Sequence, residues 1–121
     1  MIQGISFDGE VKYALFEGFG VGAASGNYTL TSGQLVGGFY GNDWKYHDSM
    51  MFTTYDRDHD QNQDNCAISW NSGWWYNECI KIHLTGKYSP VEDTSRGIFW
   101  VSWKDLGKSL KEARMMMRPK M

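Results

Sequence analysis

The 121-residue sequence lacks the features that mark several large protein classes. No stretch approaches the ~20 apolar residues of a membrane-spanning helix. The start has neither a basic region nor a long apolar one, so it does not predict a signal peptide. The formal net charge of −2 supplies no broad positive field, which disfavours nucleic acid and anionic membranes as main partners.

Proline and cysteine are also scarce, with two of each. Two thiols cannot complete a four-cysteine zinc site, and Cys66 and Cys79 do not form a C-x-x-C pair. The aromatic, glycine-containing segment between them could turn back and bring them together. Two interpretations therefore stay open: two buried thiols, or one disulfide that would stabilise the fold by roughly 3 kcal/mol in the chain-entropy model.

Glycine and tryptophan are abundant, with 14 and six residues, whereas leucine and alanine are few. This composition disfavours a helix bundle and predicts one loop-rich domain that contains strands. Residues 109–118 favour a helix by propensity, but their periodicity does not decide between helix and strand. Short β-branched or aromatic runs predict strands at residues 11–16, 27–31, 50–55 and 98–103.

The most distinctive chemical feature is the acidic segment from Asp56 to Asn65, directly before Cys66. Its four carboxylates would repel one another, and hard cations such as Ca²⁺ take six to eight oxygens from carboxylates, carbonyls and water. The segment is not an EF-hand, because Gln61 and Ala67 stand where that loop has Gly and Glu. A metal loop and a solvated acidic turn both remain open. If a metal binds, the lack of a multi-Cys or multi-His set favours calcium over zinc.

Catalytic motifs do not appear in the sequence. There is no G-x-S-x-G string, and the three histidines are not spaced as H-E-x-x-H. An Asp-x-Asp pair also occurs in metal-dependent sugar-nucleotide transferases, but those need a nucleotide-binding α/β domain, and this sequence has no βαβ pattern. The protein is therefore not expected to be an enzyme.

The string T-x-D-x-D-x-D is followed by N-C-A and then by G-W-W-x-x-x-C. This order and several further strings resemble the fibrinogen C-terminal globular domain, a family that includes fibrinogen chains, ficolins, tachylectins, tenascins, angiopoietins and fibrinogen-like proteins. Order and spacing agree across roughly residues 8–119. The matching strings occupy residues 52–60, 65–67, 73–79, 84–88, 97–100, 103–104 and 115–119.

The resemblance implies an α+β, loop-rich fold with a twisted, mainly antiparallel sheet and an irregular subdomain for calcium and ligand. Residues 1–7 are expected to be a leader or an irregular N-terminus, and residues 8–121 a truncated domain. Residues 8–55 and 98–119 would form the sheet region, and residues 56–97 the calcium loop and pocket. The complete domain is nearly twice as long, so the sequence is interpreted as a fragment, an unusually short member or the conceptual product of a partial gene.

The resemblance also implies a Ca²⁺ site in the acidic segment. Asp58 and Asp60 would supply side-chain oxygens, whereas Asn62 and Asp64 would supply backbone carbonyls. Asp56 matches the leading acidic position of the family and would support the site without binding the metal.

A disulfide between Cys66 and Cys79 is implied as well, with a ligand pocket beside the calcium and around the second cysteine. In the family a histidine commonly follows that cysteine, joined to it by an unusual cis peptide bond. Here Ile80 stands in its place, which removes a hydrogen-bonding imidazole. The pocket lining would be drawn from Ser69, Trp70, Trp75, Tyr76, Glu78, Cys79, Ile80, Tyr88 and Ser95.

The function implied is secreted, calcium-dependent and lectin-like recognition of acetylated glycans, as in innate immunity. The alternative is a protein–protein module of the fibrinogen-like or angiopoietin type, which binds a receptor or matrix protein without binding sugar. The more apolar pocket around Ile80 favours that alternative. Oligomers would form through regions absent from this sequence. The sequon Asn27-Tyr28-Thr29 marks Asn27 as a candidate glycosylation site.

Overall fold

The computed structural model describes residues 1–39, 41 and 43–119, so the predicted end of the domain at residue 121 lies outside the described residues. Within them, one short α-helix, α1 (Cys66–Trp70), accompanies eight short strands and two 3₁₀ helices. No helix of this part of the protein has the length and apolar character needed to cross a bilayer. The strands are β1 (Ile2–Ile5), β2 (Val11–Glu17), β3 (Gly20–Val21), β4 (Leu30–Thr31), β5 (Gln34–Gly38), β6 (Ile82–His83), β7 (Phe99–Trp100) and β8 (Glu112–Met115).

The main sheet has four antiparallel strands in the order β5-β2-β1-β8. Its register places Ile2 opposite Ala14 on β2 and opposite Met115 on β8. Ile2 and Ala14 are both buried, so this face of the sheet covers the core. Two smaller antiparallel pairs, β3-β4 and β6-β7, lie outside the main sheet.

The prediction of a leader or an irregular N-terminus over residues 1–7 is wrong, because β1 is an inner strand of the main sheet. Its side chains alternate between buried and half-buried. Gly4 lies against the core so closely that a Cβ there would approach Leu110 Cδ1 to 2.7 Å. The partners that make this stretch a strand stand far away in the sequence, on β8, and a local pattern does not reveal them.

The strand predictions are confirmed where the predicted residues form hydrogen bonds with a neighbouring strand. Residues 11–16 form most of β2, and the ambiguous run at 109–118 contains the strand β8. Only the centre of 98–103 is a strand, β7, and only the end of 27–31 is one, β4, since Asn27 and Tyr28 have positive φ angles. Residues 50–55 form no strand and contribute isolated bridges, such as the one between Thr53 and Trp74.

The core is an aromatic cluster that joins the sheet to the segment between the two cysteines. Trp44 lies at its centre, 6.0 Å from the ring of Phe16 on β2 and 6.0 Å from the ring of Trp74. Its indole Nε1 donates a hydrogen bond of 2.9 Å to the carbonyl of Ser32. Trp75 packs against Trp44 and Trp74 with edge-on geometry, an arrangement that aromatic pairs favour. The position of the cysteine segment therefore depends on this core.

Candidate functional site

The acidic segment folds into successive tight turns. Oδ1 of Asp58 accepts from the amide of Asp60 at 3.2 Å, Oδ1 of Asp60 accepts from the amide of Asn62 at 2.9 Å, and Oδ1 of Asn62 accepts from the amide of Asp64 at 2.9 Å. Side chains that bond to the backbone two residues later are typical of Asx turns. The alternation of Asp and Asn thus brings all four predicted calcium ligands into one short segment.

Asp58 and Asp60 influence each other electrostatically. The pKa of Asp60 is raised, first because the side chain is partly buried and also because the neighbouring negative charge of Asp58 opposes its ionisation. Asp56 lies apart from this pair: it accepts from the hydroxyl of Thr54 at 2.7 Å, and this bond lowers its pKa. Among residues 1–39, 41 and 43–119, no three Asp, Glu, His or Cys side chains converge on one point where a metal could bind. A cation here would need neutral oxygens as well as carboxylates.

The acidic segment is tied to helix α1 by Asn65 and Asp60. Oδ1 of Asn65 caps the helix by accepting from the amides of Ala67 at 2.8 Å and Ile68 at 3.3 Å. Oδ2 of Asp60 accepts from the amide of Cys66 at 2.8 Å. These bonds satisfy three amides of the first turn, so the helix starts at a fixed place relative to the carboxylates.

The two cysteines form a disulfide, Cys66–Cys79, with 5.7 Å between their Cα atoms. The disulfide interpretation of the pair is therefore confirmed, and the free-thiol one is wrong. A cis peptide bond is present, but it precedes the second cysteine, at Glu78–Cys79, and does not follow it. The amide of Asn77 donates to the carbonyl of Cys79 at 2.9 Å in the same turn.

Two of the predicted pocket residues belong to the core. Tyr76 is fully buried, and its hydroxyl donates to the carbonyl of Ser72 at 2.8 Å. Trp75 is 9% exposed, and its indole donates to the carbonyl of Tyr28 at 2.9 Å. Both side chains make these hydrogen bonds within the core and expose little surface to a ligand. An aromatic run between two cysteines does not reveal which of its rings face inward.

The other predicted pocket residues keep some accessible surface. Trp70 is half-buried at the end of α1, with edge-on contacts to the rings of His83 and Phe99 at 6.0 and 5.8 Å. Ile80 and Cys79 are half-buried against the core. The remaining residues are exposed on the surrounding surface: Ser69, Glu78, Tyr88 and Ser95.

Two buried histidines support this region, and no motif in the sequence pointed to either. Nδ1 of His47 lies 2.8 Å from the carbonyl of Trp75, and its Nε2 accepts from the amide of Lys81 at 3.1 Å. His83 contacts the hydroxyl of Tyr76 at 3.0 Å through Nε2. Burial lowers the pKa of His47 to about 4 and that of His83 to about 3. Both rings are therefore neutral at physiological pH, and His47 holds the backbone that follows Ile80.

Surface grooves occur on other parts of the protein. One has a volume of about 490 Å³ and lies between the acidic segment and α1, where Tyr55 and Ile68 expose apolar surface. A second, of about 380 Å³, lies beside Phe16 and Lys45. Neither groove is lined by a predicted pocket residue.

Comparison with known proteins identifies related sequences. The sequence matches the family described as fibrinogen beta and gamma chains, C-terminal globular domain, over residues 1–120. Mouse tenascin is 36% identical over 111 residues, which make up 92% of this chain and 5% of tenascin. Human ficolin-3 is 33% identical over 114 residues, which make up 93% of this chain and 38% of ficolin-3.

Solved structures share the fold. The fibrinogen-like globe domain of human ANGPTL2 superimposes with a TM-score of 0.87 at 29% identity, over 93% of this chain and 53% of that one. The lamprey fibrin D-dimer, complexed with the peptide ligand Gly-His-Arg-Pro-amide, gives 0.86 at 29% identity, over 93% and 42%. The predicted loop-rich α+β fold with a mainly antiparallel sheet is thus confirmed. This chain spans about half of the solved globe domain and less of the curated relatives.

Proposed function

Because this protein belongs to the family of the C-terminal globular domain of fibrinogen beta and gamma chains, we propose that it is an extracellular recognition domain and not an enzyme. The membership bears out the resemblance seen in the sequence. The observation that carries the proposal is the 2.8 Å hydrogen bond from the Cys66 amide to Asp60. It couples the acidic turns to the disulfide, around which the ligand pocket is predicted. A metal in the turns would thereby order the binding surface.

We propose that the acidic segment holds Ca²⁺, with Asp58 and Asp60 as carboxylate ligands and Asn62 and Asp64 as carbonyl ligands. An all-oxygen donor set suits a hard cation. The raised pKa of Asp60 supports the fit. Burial and the negative charge of Asp58 both disfavour the ionised form of Asp60 unless a positive charge is present. When bound, the cation would neutralise this pair, while the Asx turns hold the segment in place.

Calcium is expected to stabilise the folded protein. At ten times its Kd, Ca²⁺ should raise the free energy of unfolding by about 1.4 kcal/mol, since it binds only the folded state. The measurement is thermal or urea unfolding with Ca²⁺ and with chelator. Asp58→Asn and Asp60→Asn should each abolish the gain, whereas Glu112→Gln, an exposed carboxylate on the sheet, should keep it. Equal stability of the native sequence in Ca²⁺ and in chelator would contradict the site.

We further propose that the surface around Trp70, Cys79 and Ile80 binds acetylated glycans. Support comes from the likeness to ficolin-3 and from Trp70, an aromatic side chain that keeps some accessible surface there. Partly exposed apolar surface at Ile80 and Cys79 would accommodate a methyl group.

N-acetylglucosamine is expected to bind in Ca²⁺ and to lose at least tenfold in affinity with chelator, a free-energy change of about 1.4 kcal/mol. Titration followed by NMR shifts of the tryptophan indoles measures this directly. Trp70→Ala should weaken binding in the same way, whereas Trp103→Phe, whose ring packs on Trp100 and not on Trp70, serves as the aromatic control. Glucose, which lacks the acetyl group, should not bind. Binding of both sugars alike would contradict acetyl recognition.

Peptide or protein binding is the second candidate function. The apolar groove at Tyr55 and Ile68 favours it, because exposed apolar surface next to polar residues is typical of protein contacts. The lamprey fibrin structure with its peptide ligand shows that a related domain accepts a peptide. A protein partner whose capture is unaffected by N-acetylglucosamine but lost in Ile68→Asp would support this function over the lectin.

A further inference from the structure

Arg96 covers the ring of Trp70 at the edge of the proposed pocket. Its guanidinium carbon lies 4.9 Å from the ring centroid, a distance typical of a cation–π contact. Trp70 is itself held edge-on against the buried rings of His83 and Phe99, so the platform below the guanidinium is firmly placed. The protein thus presents an arginine against an aromatic ring, on a surface whose exposed predicted residues are Ser69, Glu78, Tyr88 and Ser95.

Most N–H donors of the Arg96 guanidinium have no acceptor among the described residues. Nη1 donates to the carbonyl of Ser95 at 2.8 Å, and the structure shows no other acceptor for this side chain among the residues it describes. An arginine carries five N–H donors in a planar fork. The donors that Ser95 does not use remain for an external ligand, and the planar fork of an arginine matches the oxygens of a carboxylate or a sulfate.

Acidic residues of the same loop are committed elsewhere. Glu92 forms an ion pair with Lys104 at 3.7 Å, and Asp93 pairs with Lys108. Within residues 1–39, 41 and 43–119, no carboxylate lies at ion-pair distance from Arg96. The charge of Arg96 is therefore not neutralised by its own loop.

A second cation lies on the neighbouring segment. The backbones at Gly86 and Gly97 touch so closely that a Cβ on Gly86 would come within 1.8 Å of the Gly97 carbonyl oxygen. Lys87 follows the first glycine and Arg96 precedes the second, so two cationic residues flank one backbone contact. Lys87 is exposed and has no ion pair in the described part of the protein. Neither Lys87 nor Arg96 is paired with a carboxylate of the described residues.

We propose that Arg96, assisted by Lys87, forms an anion subsite beside Trp70, and that the ligand is an acidic acetylated sugar carrying a sulfate ester or a carboxylate. This inference rests on the proposed glycan recognition, because it names the ligand class of the same pocket. The fork of Arg96 binds the anion, and Lys87 adds attraction at longer range. Neutral acetylated sugars use the remaining pocket surface and bind more weakly.

Three sugars that share an N-acetyl group test the subsite: N-acetylglucosamine, its 6-sulfate and N-acetylneuraminic acid. Titrated in Ca²⁺ at low salt, the native sequence should bind at least one of the two acidic sugars about tenfold more tightly than the neutral one. High salt should reduce the difference. Comparison of the affinities for the 6-sulfate and for N-acetylneuraminic acid shows whether a sulfate or a carboxylate is preferred. Arg96→Gln should remove the preference, so that the acidic sugars bind no more tightly than N-acetylglucosamine.

Arg96→Lys keeps the charge but loses the fork, so it should retain only part of the preference, and Lys87→Gln should reduce it slightly. Arg114→Gln, on β8 in the main sheet, is the control for general charge, and thermal melts check that each variant folds. If the neutral sugar binds and the acidic ones bind no better, the subsite is overturned while glycan recognition stands. If only the acidic sugars bind, the subsite stands and the remaining pocket surface is too weak to hold a neutral sugar by itself. If nothing binds, or if Arg114→Gln loses the preference equally, the subsite is overturned.

Discussion

Acidification from about pH 6 to about pH 4.5 is expected to lower the free energy of unfolding by about 2 to 2.5 kcal/mol per pH unit, slightly less than the slope for two whole protons taken up on unfolding. The protons belong to His47 and His83, whose pKa values in the fold are about 4 and about 3. A histidine in the unfolded state has a pKa of about 6.5. The folded values are depressed, so their contribution is present above pH 6.5 and is lost as the pH falls toward them.

The hydrogen bonds explain why these rings resist a proton. Nε2 of His47 accepts from the amide of Lys81, so a proton there would face another donor. The positive charge of Lys81 also opposes protonation, after burial, which is the main cause of the lowered pKa. His83 is buried among Trp70, Trp74 and Tyr76, and its Nδ1 has no hydrogen-bond partner in the described structure. A charge at either ring would be unpaired in an aromatic surrounding.

Urea unfolding at a series of pH values measures the slope, and His83→Phe should halve it. Phenylalanine removes one titrating group, while the hydroxyl of Tyr76 keeps its bond to the carbonyl of Ser72. NMR titration of the histidine ring protons gives the two pKa values independently. A free energy of unfolding that stays constant between pH 6 and pH 4.5, with the protein folded throughout, would contradict the prediction.

Replacing Trp44 by alanine is expected to cost about 4 kcal/mol of unfolding free energy, as is typical of a large buried aromatic residue. Trp44 is 3% exposed and packs against Phe16, Phe19, Trp74 and Trp75. Its loss opens a cavity between the main sheet and the cysteine segment and leaves the carbonyl of Ser32 without its indole donor. Trp74 and Trp75, in the segment between the two cysteines, would lose a packing partner.

Denaturant unfolding followed by far-UV circular dichroism measures this cost. Trp44→Phe keeps most of the packing but loses the hydrogen bond, so it should cost about 1–2 kcal/mol. Tyr55→Ala removes an aromatic ring that is 75% exposed and should change stability by less than about 0.5 kcal/mol. If Trp44→Ala were as mild as Tyr55→Ala, the central place of this ring in the core would be refuted.

Local chemistry made some features predictable from the sequence. The acidic residues 56–65 predicted either a metal loop or a solvated acidic turn, and the structure has successive turns there, in which Asp and Asn side chains bond to the backbone two residues ahead. The run at 11–16 has the β-branched and aromatic residues of a strand, and it is one. The disulfide was only one of two possibilities until the resemblance to a known family favoured it.

Features that depend on distant contacts were not predictable in this way. β1 is a strand because β8, more than 100 residues later, completes its pairing. Trp75 and Tyr76 face inward because Trp44 and His83 are there to receive them. Arg96 lies over Trp70, 26 residues earlier in the sequence, and no spacing in the sequence signals that contact.

The place of β1 between β2 and β8 also determines when the main sheet can be completed during synthesis. The β1-β2 hairpin can form as soon as residue 17 has left the ribosome, but one edge of β1 stays open until Glu112–Met115 emerge. At a ribosomal rate of about 5–20 residues per second, that edge is unpaired for several seconds. The unpaired edge of β1 can form hydrogen bonds with other polypeptides, and exposed apolar side chains favour such pairing. The nascent chain can therefore misassemble through this edge in the interval before β8 emerges.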